Sequence, residues 1–322
     1  MIGSSLAFIF PGQGSQSLGM LADLATVFPG IGETFAEASE GAGCDLWALC
    51  QTGPEERLNQ TRYTQPLLLA ASIALWRCWR SCQGALPTML AGHSLGEYSA
   101  LVAADSLSLV DAARLVSLRG RLMQEAVPVG TGAMAAVLGA DDAVVEDVCR
   151  RVSDCHSVYP ANYNAPGQIV IGGHTEAVDK ALAALAEQGV RKVVQLPVSV
   201  PSHTPLMMDA ADQLRQALSD VSWSLPTLPV VQNVDAQMHQ TVADIRDALV
   251  RQLSHPVKWR QCVQLLISKR IHFFAECGPG NVLAGLNKRI DKTIMTRPLS
   301  SLHAFQAALE AWPQDAQSMP LR

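Results

Sequence analysis

Short apolar runs alternate along the chain with longer segments in which apolar residues recur at helical spacing. The runs Leu6–Phe10, Thr88–Ala91 and Ile271–Glu276 predict strands, because each is short, mostly apolar and closely followed by glycine or proline. Residues 64–80 and 108–126 show the helical spacing. Strands that alternate with helices are typical of a parallel sheet covered by helices. The sequence therefore predicts an α/β fold.

Residues 129–197 carry a second set of elements in a different order. Strands are predicted at 133–138, 158–163, 168–171 and 191–196, and helices at 141–152 and 176–188. This order, β-α-β-β-α-β, is the ferredoxin-like pattern. We therefore predict a ferredoxin-like small domain at 129–197, inserted into an α/β core of residues 1–128 and 198–310, with 311–322 as a flexible tail.

Composition narrows the classes of protein to consider. Apolar residues make up 48% of the chain and charged residues 16%, and the net charge is -5, which together disfavour disorder and nucleic-acid binding. The longest apolar stretch, Leu67–Trp76, is far shorter than the roughly 20 residues that span a membrane. The first residues lack a basic export signal, and the eight cysteines form no C-x-x-C pair. We expect a cytoplasmic protein with reduced thiols, no membrane contact and no metal.

A serine lies at the junction of a predicted strand and a predicted helix. Gly92-His-Ser-Leu-Gly96 matches the pattern G-x-S-x-G. In this context the pattern is typical of a nucleophile elbow, a tight turn that projects the central side chain above the sheet. The following helix start supplies free N–H groups for a developing oxyanion. The alternative is a turn of small residues without chemistry, but the flanking elements favour Ser94 as a nucleophile in acyl transfer.

A serine nucleophile needs a base. His203 lies at the exit of the predicted insert, where connecting loops commonly line a cleft, although an ordinary surface histidine is an equal alternative. His93 adjoins Ser94 and is predicted to be structural, because neighbours at a sharp turn point apart. Asp141 and Asp142 begin a predicted helix and are interpreted as caps. No acidic third member of a triad is evident, which disfavours an ordinary esterase.

Arg119 lies in the middle of the apolar arc of the predicted helix 108–126. A buried arginine is costly unless it is paired. Its partner is either an internal acid, the solvent beyond the edge of the core, or a ligand. Because a guanidinium binds a carboxylate in a two-pronged fork, a ligand role predicts an acyl chain that ends in a carboxylate.

A glycine-containing loop, Gly12–Gly19, follows the first predicted strand. It departs from the dinucleotide pattern G-x-G-x-x-G at Ser17, and it does not match the phosphate-binding pattern G-x-x-x-x-G-K-[ST]. The loop therefore gives little support to nucleotide binding. Its position after the first strand also suits a backbone N–H group placed beside Ser94.

A set of ordered motifs runs from Phe8 to about Arg289. They are Phe10-Pro-Gly-Gln-Gly-Ser-Gln16, Tyr63-Thr-Gln-Pro66, Ala91-Gly-His-Ser-Leu-Gly-Glu-Tyr-Ser-Ala100, Arg119-Gly-Arg121, Gln124-Glu-Ala-Val-Pro128, Gly130-Thr-Gly-Ala-Met134, Asn162-Tyr-Asn-Ala-Pro-Gly-Gln168, Pro197-Val-Ser-Val-Pro-Ser-His203, Asn233-Val-Asp235, Asp247-Ala-Leu-Val-Arg-Gln252 and Gly278-Pro-Gly280. In these motifs the chain resembles the bacterial malonyl-CoA:acyl carrier protein transacylases of fatty-acid synthesis. It departs from close relatives at Tyr163 and Ala165, where they often carry other residues.

The resemblance implies a hydrolase-like α/β core with a ferredoxin-like small domain, and a role for each matching residue. It implies transfer of a malonyl group from malonyl-CoA to the phosphopantetheine thiol of acyl carrier protein through a malonyl-Ser94 intermediate. The coenzyme A thioester is then a substrate, and no cofactor or metal is expected. The implied site comprises Ser94 as nucleophile, His203 as base, Arg119 for the malonyl carboxylate, the backbone N–H groups of Gln13 and Leu95 as oxyanion hole, and the carbonyl of Gln252 to orient His203.

Three alternatives differ from this function in the acceptor or in the chemistry. A serine thioesterase or esterase would hydrolyse malonyl-CoA without an acceptor. A carrier-charging subunit of malonate decarboxylase would use the same chemistry with another carrier. A non-catalytic scaffold is disfavoured because Ser94, His203 and Arg119 are all present.

Charge is unevenly distributed along the chain. Residues 251–297 contain nine Lys and Arg residues against two acids, so this segment is basic while the remainder is acidic. Because carrier proteins are acidic, the segment is predicted to be a carrier docking face. A solvated surface and a binding site for the coenzyme A phosphates are the alternatives.

Overall fold

The computed structural model describes residues 6–128, 130–198 and 200–312. The strands are β1 (Leu6–Phe10), β2 (Met89–Gly92), β3 (Gly132–Leu138), β4 (Val158–Ala165), β5 (Gln168–His174), β6 (Lys192–Gln195), β7 (Val230–Val231), β8 (Phe273–Glu276) and β9 (Met295–Pro298). The helices are α1 (Ala22–Ala25), α2 (Gly30–Ala42), α3 (Leu46–Thr52), α4 (Glu55–Leu58), α5 (Thr61–Ser81), α6 (Gly96–Ala103), α7 (Leu109–Glu125), α8 (Asp142–Val152), α9 (Thr175–Glu187), α10 (Met208–Ser219), α11 (Val242–Ser254), α12 (Trp259–Ser268), α13 (Val282–Ile290) and α14 (Leu302–Ala311).

The larger sheet has the strand order β7-β2-β1-β8-β9, and every pairing in it is parallel. All five residues of the central strand β1 are buried. Parallel strands are apolar on both faces because helices cover both sides of the sheet. The predicted α/β fold with a parallel sheet is therefore confirmed.

Alternate residues of β1 point into two different apolar cores. Phe8 and Phe10 belong to the core that includes α2, α5 and α7, where Trp79 packs edge-on against Phe8 at 5.3 Å. Ala7 and Ile9 belong to the core on the opposite face, which includes α12 and α13. This period of two is that of a strand. Packing on both faces of the sheet therefore fixes where β1 and β2 end. The candidate site lies at these strand ends.

A separate, antiparallel sheet has the strand order β4-β5-β3-β6. Along the chain its elements follow one another as β3-α8-β4-β5-α9-β6. Helices α8 and α9 pack on one face around an apolar core of their own, which includes Val145, Ile171 and Leu185. The other face carries Met134, Ala136 and Val170 toward the candidate site.

Some local predictions need correction. Helix α5 begins at Thr61 rather than near residue 64, and Pro66 lies inside it. Asp141 occupies the N-cap position of α8, but its side chain makes no capping hydrogen bond. Asp142 instead forms an ion pair with Arg260 of α12. Both acids were predicted as caps, a role that sequence position alone does not determine.

Two further predictions concern the termini and membranes. Within the predicted tail, helix α14 extends to Ala311, and residues 313–322 lie outside the described residues, as do residues 1–5. Among the helices that the structure describes, none combines the length and the apolar character needed to cross a membrane.

Candidate active site

Ser94 lies in the tight turn between β2 and α6. Its backbone is in the left-handed region, with φ at 52°, which is rare for a residue other than glycine. A Cβ atom on Gly92 would lie 1.9 Å from the backbone of Gly96, and one on Gly96 would lie 2.0 Å from the carbonyl oxygen of Phe10. Only glycine fits at these two positions, which explains why both flank the serine of the elbow.

His203 approaches Ser94 from the segment that precedes α10. The hydroxyl of Ser94 lies 2.7 Å from Nε2 of His203. Nδ1 of the same ring lies 2.7 Å from the backbone carbonyl oxygen of Gln252, which can only accept a hydrogen bond. The proton is therefore assigned to Nδ1, and Nε2 is left as the acceptor for the serine proton. The carbonyl of Gln252 occupies the position that an acid holds in a Ser-His-Asp triad.

The imidazole of His203 is held in its neutral form. The side chain is buried, and burial, followed by the positive charge of Arg119, lowers the pKa of His203 to about 3. A general base must be unprotonated before the reaction starts. His203 is therefore unprotonated near neutral pH and lies within reach of the proton that it would accept.

Arg119 of α7 is buried and reaches the same serine. Its Nη1 donates to Oε1 of Gln65 at 2.8 Å, and its Nη2 donates to Oε1 of Gln252 at 3.0 Å and to Oγ of Ser94 at 3.2 Å. Its Nε has no partner in the described part of the chain. No Asp or Glu of the described residues forms an ion pair with Arg119, which leaves its charge without a direct counter-ion. This arrangement favours a ligand over an internal acid as the partner of Arg119.

The two residues predicted to form an oxyanion hole lie on two different segments. Gln13 belongs to the loop that follows β1, and Leu95 is the N-cap residue of α6. Both line the same cavity as Ser94. Neither of their backbone N–H groups donates a hydrogen bond to another residue of the described ranges. The start of α6 adds the positive potential of a helix N-terminus.

The cavity lies between the two sheets and has a volume of about 250 Å³. Gln65 and Met123 line it from the core, together with the residues above. Met134, Asn162 and Val170 line it from the antiparallel sheet. The cavity is therefore lined on one side by the serine, a neutral base and a buried cation, and on the other side by the uncharged residues of the antiparallel sheet.

His93, the neighbour of Ser94, turns away from the serine. Its Nε2 pairs with Oδ1 of Asn164 at 2.8 Å, and its ring packs on Trp259. These contacts join the elbow to β4 and α12, which agrees with the structural role predicted for it.

Three buried polar residues of the site, Gln65, Glu97 and Asn233, were not predicted from the sequence. Asn233 accepts the backbone N–H of Ser94, while Gln65 and Glu97 hold residues that contact the serine. A signal for Glu97 was present, because it is the one charged residue in an otherwise uncharged, fully buried helix. Gln65 and Asn233 carried no such signal, because their partners lie 54 and 139 residues away along the chain.

One group of potential metal ligands lies elsewhere, at the exposed segment Asp154-Cys155-His156. The carboxylate of Asp154 pairs with Lys180, and His156 pairs with Glu176. We assign no metal to this group, because its ligand atoms are already partnered and the segment is open to solvent.

The chain is similar to known proteins over most of its length. Residues 7–296 match the family described as acyl transferase domain. The malonyl CoA-acyl carrier protein transacylase of Salmonella typhimurium is 52% identical over 306 residues, which are 95% of this chain and 99% of that relative. The chain therefore has a full-length relative of this type.

Two solved structures are similar over nearly the whole chain. The malonyl-CoA:acyl carrier protein transacylase from Xanthomonas oryzae pv. oryzae is 63% identical with a TM-score of 0.96, and the match covers 97% of this chain and 100% of the other. A malonyl-transacylase in complex with a type II PKS acyl-carrier protein is 50% identical with a TM-score of 0.94, covering 96% and 100% of the two chains. The chain therefore belongs to the acyl transferase domain family, among the malonyl CoA-acyl carrier protein transacylases.

Proposed function

We propose that the protein transfers a malonyl group from malonyl-CoA to the phosphopantetheine thiol of acyl carrier protein, in fatty-acid synthesis. The observation that carries this proposal is the buried Arg119, whose guanidinium lies 3.2 Å from the Ser94 hydroxyl and has no acidic partner among the described residues. Such a cation beside a nucleophile selects an acyl group that ends in a carboxylate. The reaction needs no further cofactor, because the coenzyme A thioester is itself the activated substrate.

The first half of the reaction loads the serine. Nε2 of His203 takes the Ser94 proton while Oγ attacks the thioester carbonyl. The N–H groups of Gln13 and Leu95 donate to the resulting oxyanion. In other enzymes, removal of one such donor raises the activation barrier by about 3 kcal/mol. When the intermediate collapses, the C–S bond breaks, coenzyme A leaves as a thiol with the proton from His203, and a malonyl ester remains on Ser94.

The second half transfers the malonyl group to the carrier. The phosphopantetheine thiol gives its proton to His203, and its sulfur attacks the ester carbonyl. The C–O bond to Ser94 then breaks, and Oγ takes the proton back from His203. Because both halves use the same oxyanion hole and the same base, one site performs a ping-pong reaction.

Arg119 would hold the free carboxylate of the malonyl group throughout. Among the described residues, its N–H groups donate only to neutral oxygens, those of Gln65, Gln252 and Ser94. A carboxylate gives stronger, charge-assisted hydrogen bonds than these amides and hydroxyl. The substrate would therefore supply the counter-ion that the described residues do not.

The domain boundaries are part of the same proposal. Residues 129–197 would be a ferredoxin-like insert, supported by the element order β3-α8-β4-β5-α9-β6 and by a separate apolar core. Residues 1–128 and 198–310 would form a hydrolase-like core, supported by the parallel sheet and the elbow after β2. We also propose a cytoplasmic location, the reducing compartment in which eight free thiols are the usual state.

The carrier docking face at 251–297 remains a prediction. Arg251 and Arg260 of this segment are paired with acids of the same chain. Lys288, Arg289 and Lys292 are exposed on or next to α13. If these residues attract an acidic carrier, added salt should raise the KM for the carrier while leaving loading by malonyl-CoA unchanged.

The test of the proposed function is the fate of the malonyl group with and without carrier. With malonyl-CoA alone we expect one burst of coenzyme A release per site, and with holo acyl carrier protein we expect continuous formation of malonyl carrier. Steady release of free malonate without carrier, at a similar rate, would instead identify a hydrolase. Clear preference for the carrier of a malonate decarboxylase over that of fatty-acid synthesis would identify the carrier-charging alternative.

A further inference from the structure

Glu97 is a carboxylate buried three residues beyond the nucleophile. It lies in the first turn of α6, where every residue is buried, and its side chain has no exposure to solvent. No Lys, Arg or His of the described residues forms an ion pair with it. Burial raises the pKa of Glu97 to about 7. Placing an acid here is costly, and nothing in the two half-reactions above uses it.

One oxygen of Glu97 makes two contacts and the other makes none. Oε2 accepts the backbone N–H of Asn233 at 2.8 Å and the side-chain NH₂ of Gln252 at 2.9 Å. Oε1 is buried without a partner in the described part of the chain. The carboxylate therefore acts through a single oxygen atom that joins the segment after β7 to α11.

The contact with Gln252 fixes the orientation of that side-chain amide. Its Nε2 donates to Glu97 and to the backbone carbonyl of Ser94 at 3.0 Å, while its Oε1 accepts from Arg119. A flipped amide would set its oxygen against two acceptors and its NH₂ group against the guanidinium. Because Oε2 of Glu97 and the carbonyl oxygen of Ser94 both accept from this NH₂ group, the two together exclude the flipped form and keep an oxygen on Arg119.

The contact with Asn233 fixes the other side of the elbow. Oδ1 of Asn233 accepts the backbone N–H of Ser94 at 2.6 Å, and its Nδ2 donates to the carbonyl of Gly92 at 2.7 Å. Ser94 is in a left-handed conformation that needs outside support. Glu97 holds the backbone of the residue that gives this support, so its influence reaches both the peptide before and the peptide after the nucleophile.

We propose that Glu97 is a positioning residue. Through Gln252 and Asn233, it fixes the position of Ser94 relative to Arg119. It touches neither substrate nor the reacting atoms. A change at Glu97 should alter the selectivity for malonyl-CoA over acetyl-CoA, because the guanidinium of Arg119 and the nucleophile Ser94 belong to one hydrogen-bond network. This inference rests on the proposed function, since it assigns Arg119 to the malonyl carboxylate.

Two conservative variants separate position from charge. Glu97→Gln keeps an oxygen at the place of Oε2 but removes the charge, and its NH₂ group takes the place of the unpartnered Oε1. Glu97→Asp keeps the charge but withdraws both oxygens by one carbon–carbon bond, about 1.5 Å. The readout is the ratio of kcat/KM for loading from malonyl-CoA to that from acetyl-CoA, measured by rapid-quench mass spectrometry.

We expect Glu97→Gln to stay within about fivefold of the wild type in malonyl loading, with the ratio retained. We expect Glu97→Asp to lose about 100-fold in malonyl loading, since displacement of about 1 Å has such an effect on a catalytic geometry, and to lose selectivity. The opposite order, Asp active and Gln inactive, would overturn the proposal by showing that charge is what matters. Equal behaviour of the two variants, or a loss of activity with the ratio unchanged, would also overturn it.

A matched control is Glu276→Gln, at another buried carboxylate that accepts backbone N–H groups, those of Leu283 and Ala284. It should lower the Tm without changing the malonyl to acetyl ratio. Wild-type loading is measured first: if Ser94 takes up no malonyl group, the proposed function fails. If the wild type loads and the two Glu97 variants break the expected order, only the positioning role fails.

Discussion

The two walls of the cavity differ in what they bring to it. The wall from the parallel core supplies all the charged and nucleophilic side chains among the lining residues, and His203 and Arg119 each lie within hydrogen-bonding reach of Ser94. The wall from the antiparallel sheet supplies apolar and amide side chains, such as Met134 and Asn162. Bond making and carboxylate selection are therefore expected from the core, and the fit of the acyl chain from the antiparallel sheet.

The difference extends to the support behind each wall. Behind the core wall, buried polar groups hold one another in fixed pairs, as Gln252 does for His203 and Arg119. Behind the other wall, side chains such as Met134 and Val170 are held by packing alone. Removing a buried hydrogen-bonding partner costs more than trimming an apolar contact at a cavity surface. Substitutions in the two walls should therefore have effects of different size and kind.

The largest effect is expected for the base. His203→Ala should reduce malonyl transfer by about 10⁴-fold to 10⁶-fold, because loss of the base leaves only binding and the oxyanion hole. Binding of malonyl-CoA should change little, since Arg119 is untouched. Single-turnover loading and equilibrium binding check these two statements, and a loss below about 100-fold would show that another group acts as the base.

The next largest effect is expected for the cation. Arg119→Ala should reduce kcat/KM for malonyl-CoA by about 100-fold to 1,000-fold, the size of effect seen when one partner of a buried charge pair is removed. Loading from acetyl-CoA should fall less or rise. Arg119→Lys should restore part of the malonyl activity, because it keeps the charge without the fork. Equal losses with both substrates would contradict a carboxylate-binding role.

A pH profile of loading tests the lowered pKa of His203, which belongs to the same wall. Because burial and Arg119 lower the pKa of His203 to about 3 from an ordinary value of 6.5, the free enzyme keeps a neutral base on acidification. The kcat/KM for loading should stay flat from pH 8 to about pH 5. The same shift makes stability decline below pH 6.5, where the unfolded chain binds a proton that the folded histidine does not. A half-maximal rate near pH 6.5 would contradict the lowered pKa.

The smallest effect is expected in the antiparallel wall. Met134→Ala should reduce malonyl loading by about 10-fold, toward the lower end of the roughly 10-fold to 200-fold range for small changes of apolar volume in a pocket. The malonyl to acetyl ratio should not change, while a branched acyl group should be loaded better because the cavity is larger. A loss as large as that of Arg119→Ala would remove the distinction between the two walls.

Local patterns were sufficient to predict much of the fold. The strands β1, β2 and β8 and the elements of 129–197 were located within about three residues, because apolar periodicity and flanking glycines mark them. Ser94 and Arg119 stood out for a similar reason: each is an anomaly in a local pattern, a serine in a glycine-flanked turn and a cation in an apolar arc.

The remainder depends on contacts between distant parts of the chain. Asp141 and Asp142 occupy positions suited to capping, yet a partner 118 residues away in sequence binds Asp142. The pairing of Gln252 with Arg119, His203 and Glu97 likewise joins segments that no local pattern relates. Every residue has a backbone carbonyl, so the residue type at position 252 does not indicate that its carbonyl orients His203. Only the resemblance to a family predicted this role.

The most direct test is the intact mass of the protein after brief mixing with malonyl-CoA. We expect the wild type to gain one malonyl group, mapped by peptide sequencing to Ser94, and to lose it when holo acyl carrier protein is added. Ser94→Ala should gain nothing under the same conditions while keeping the wild-type Tm. An adduct of equal yield in Ser94→Ala, or one mapped to another residue, would contradict the role of this serine as the carrier of the acyl group.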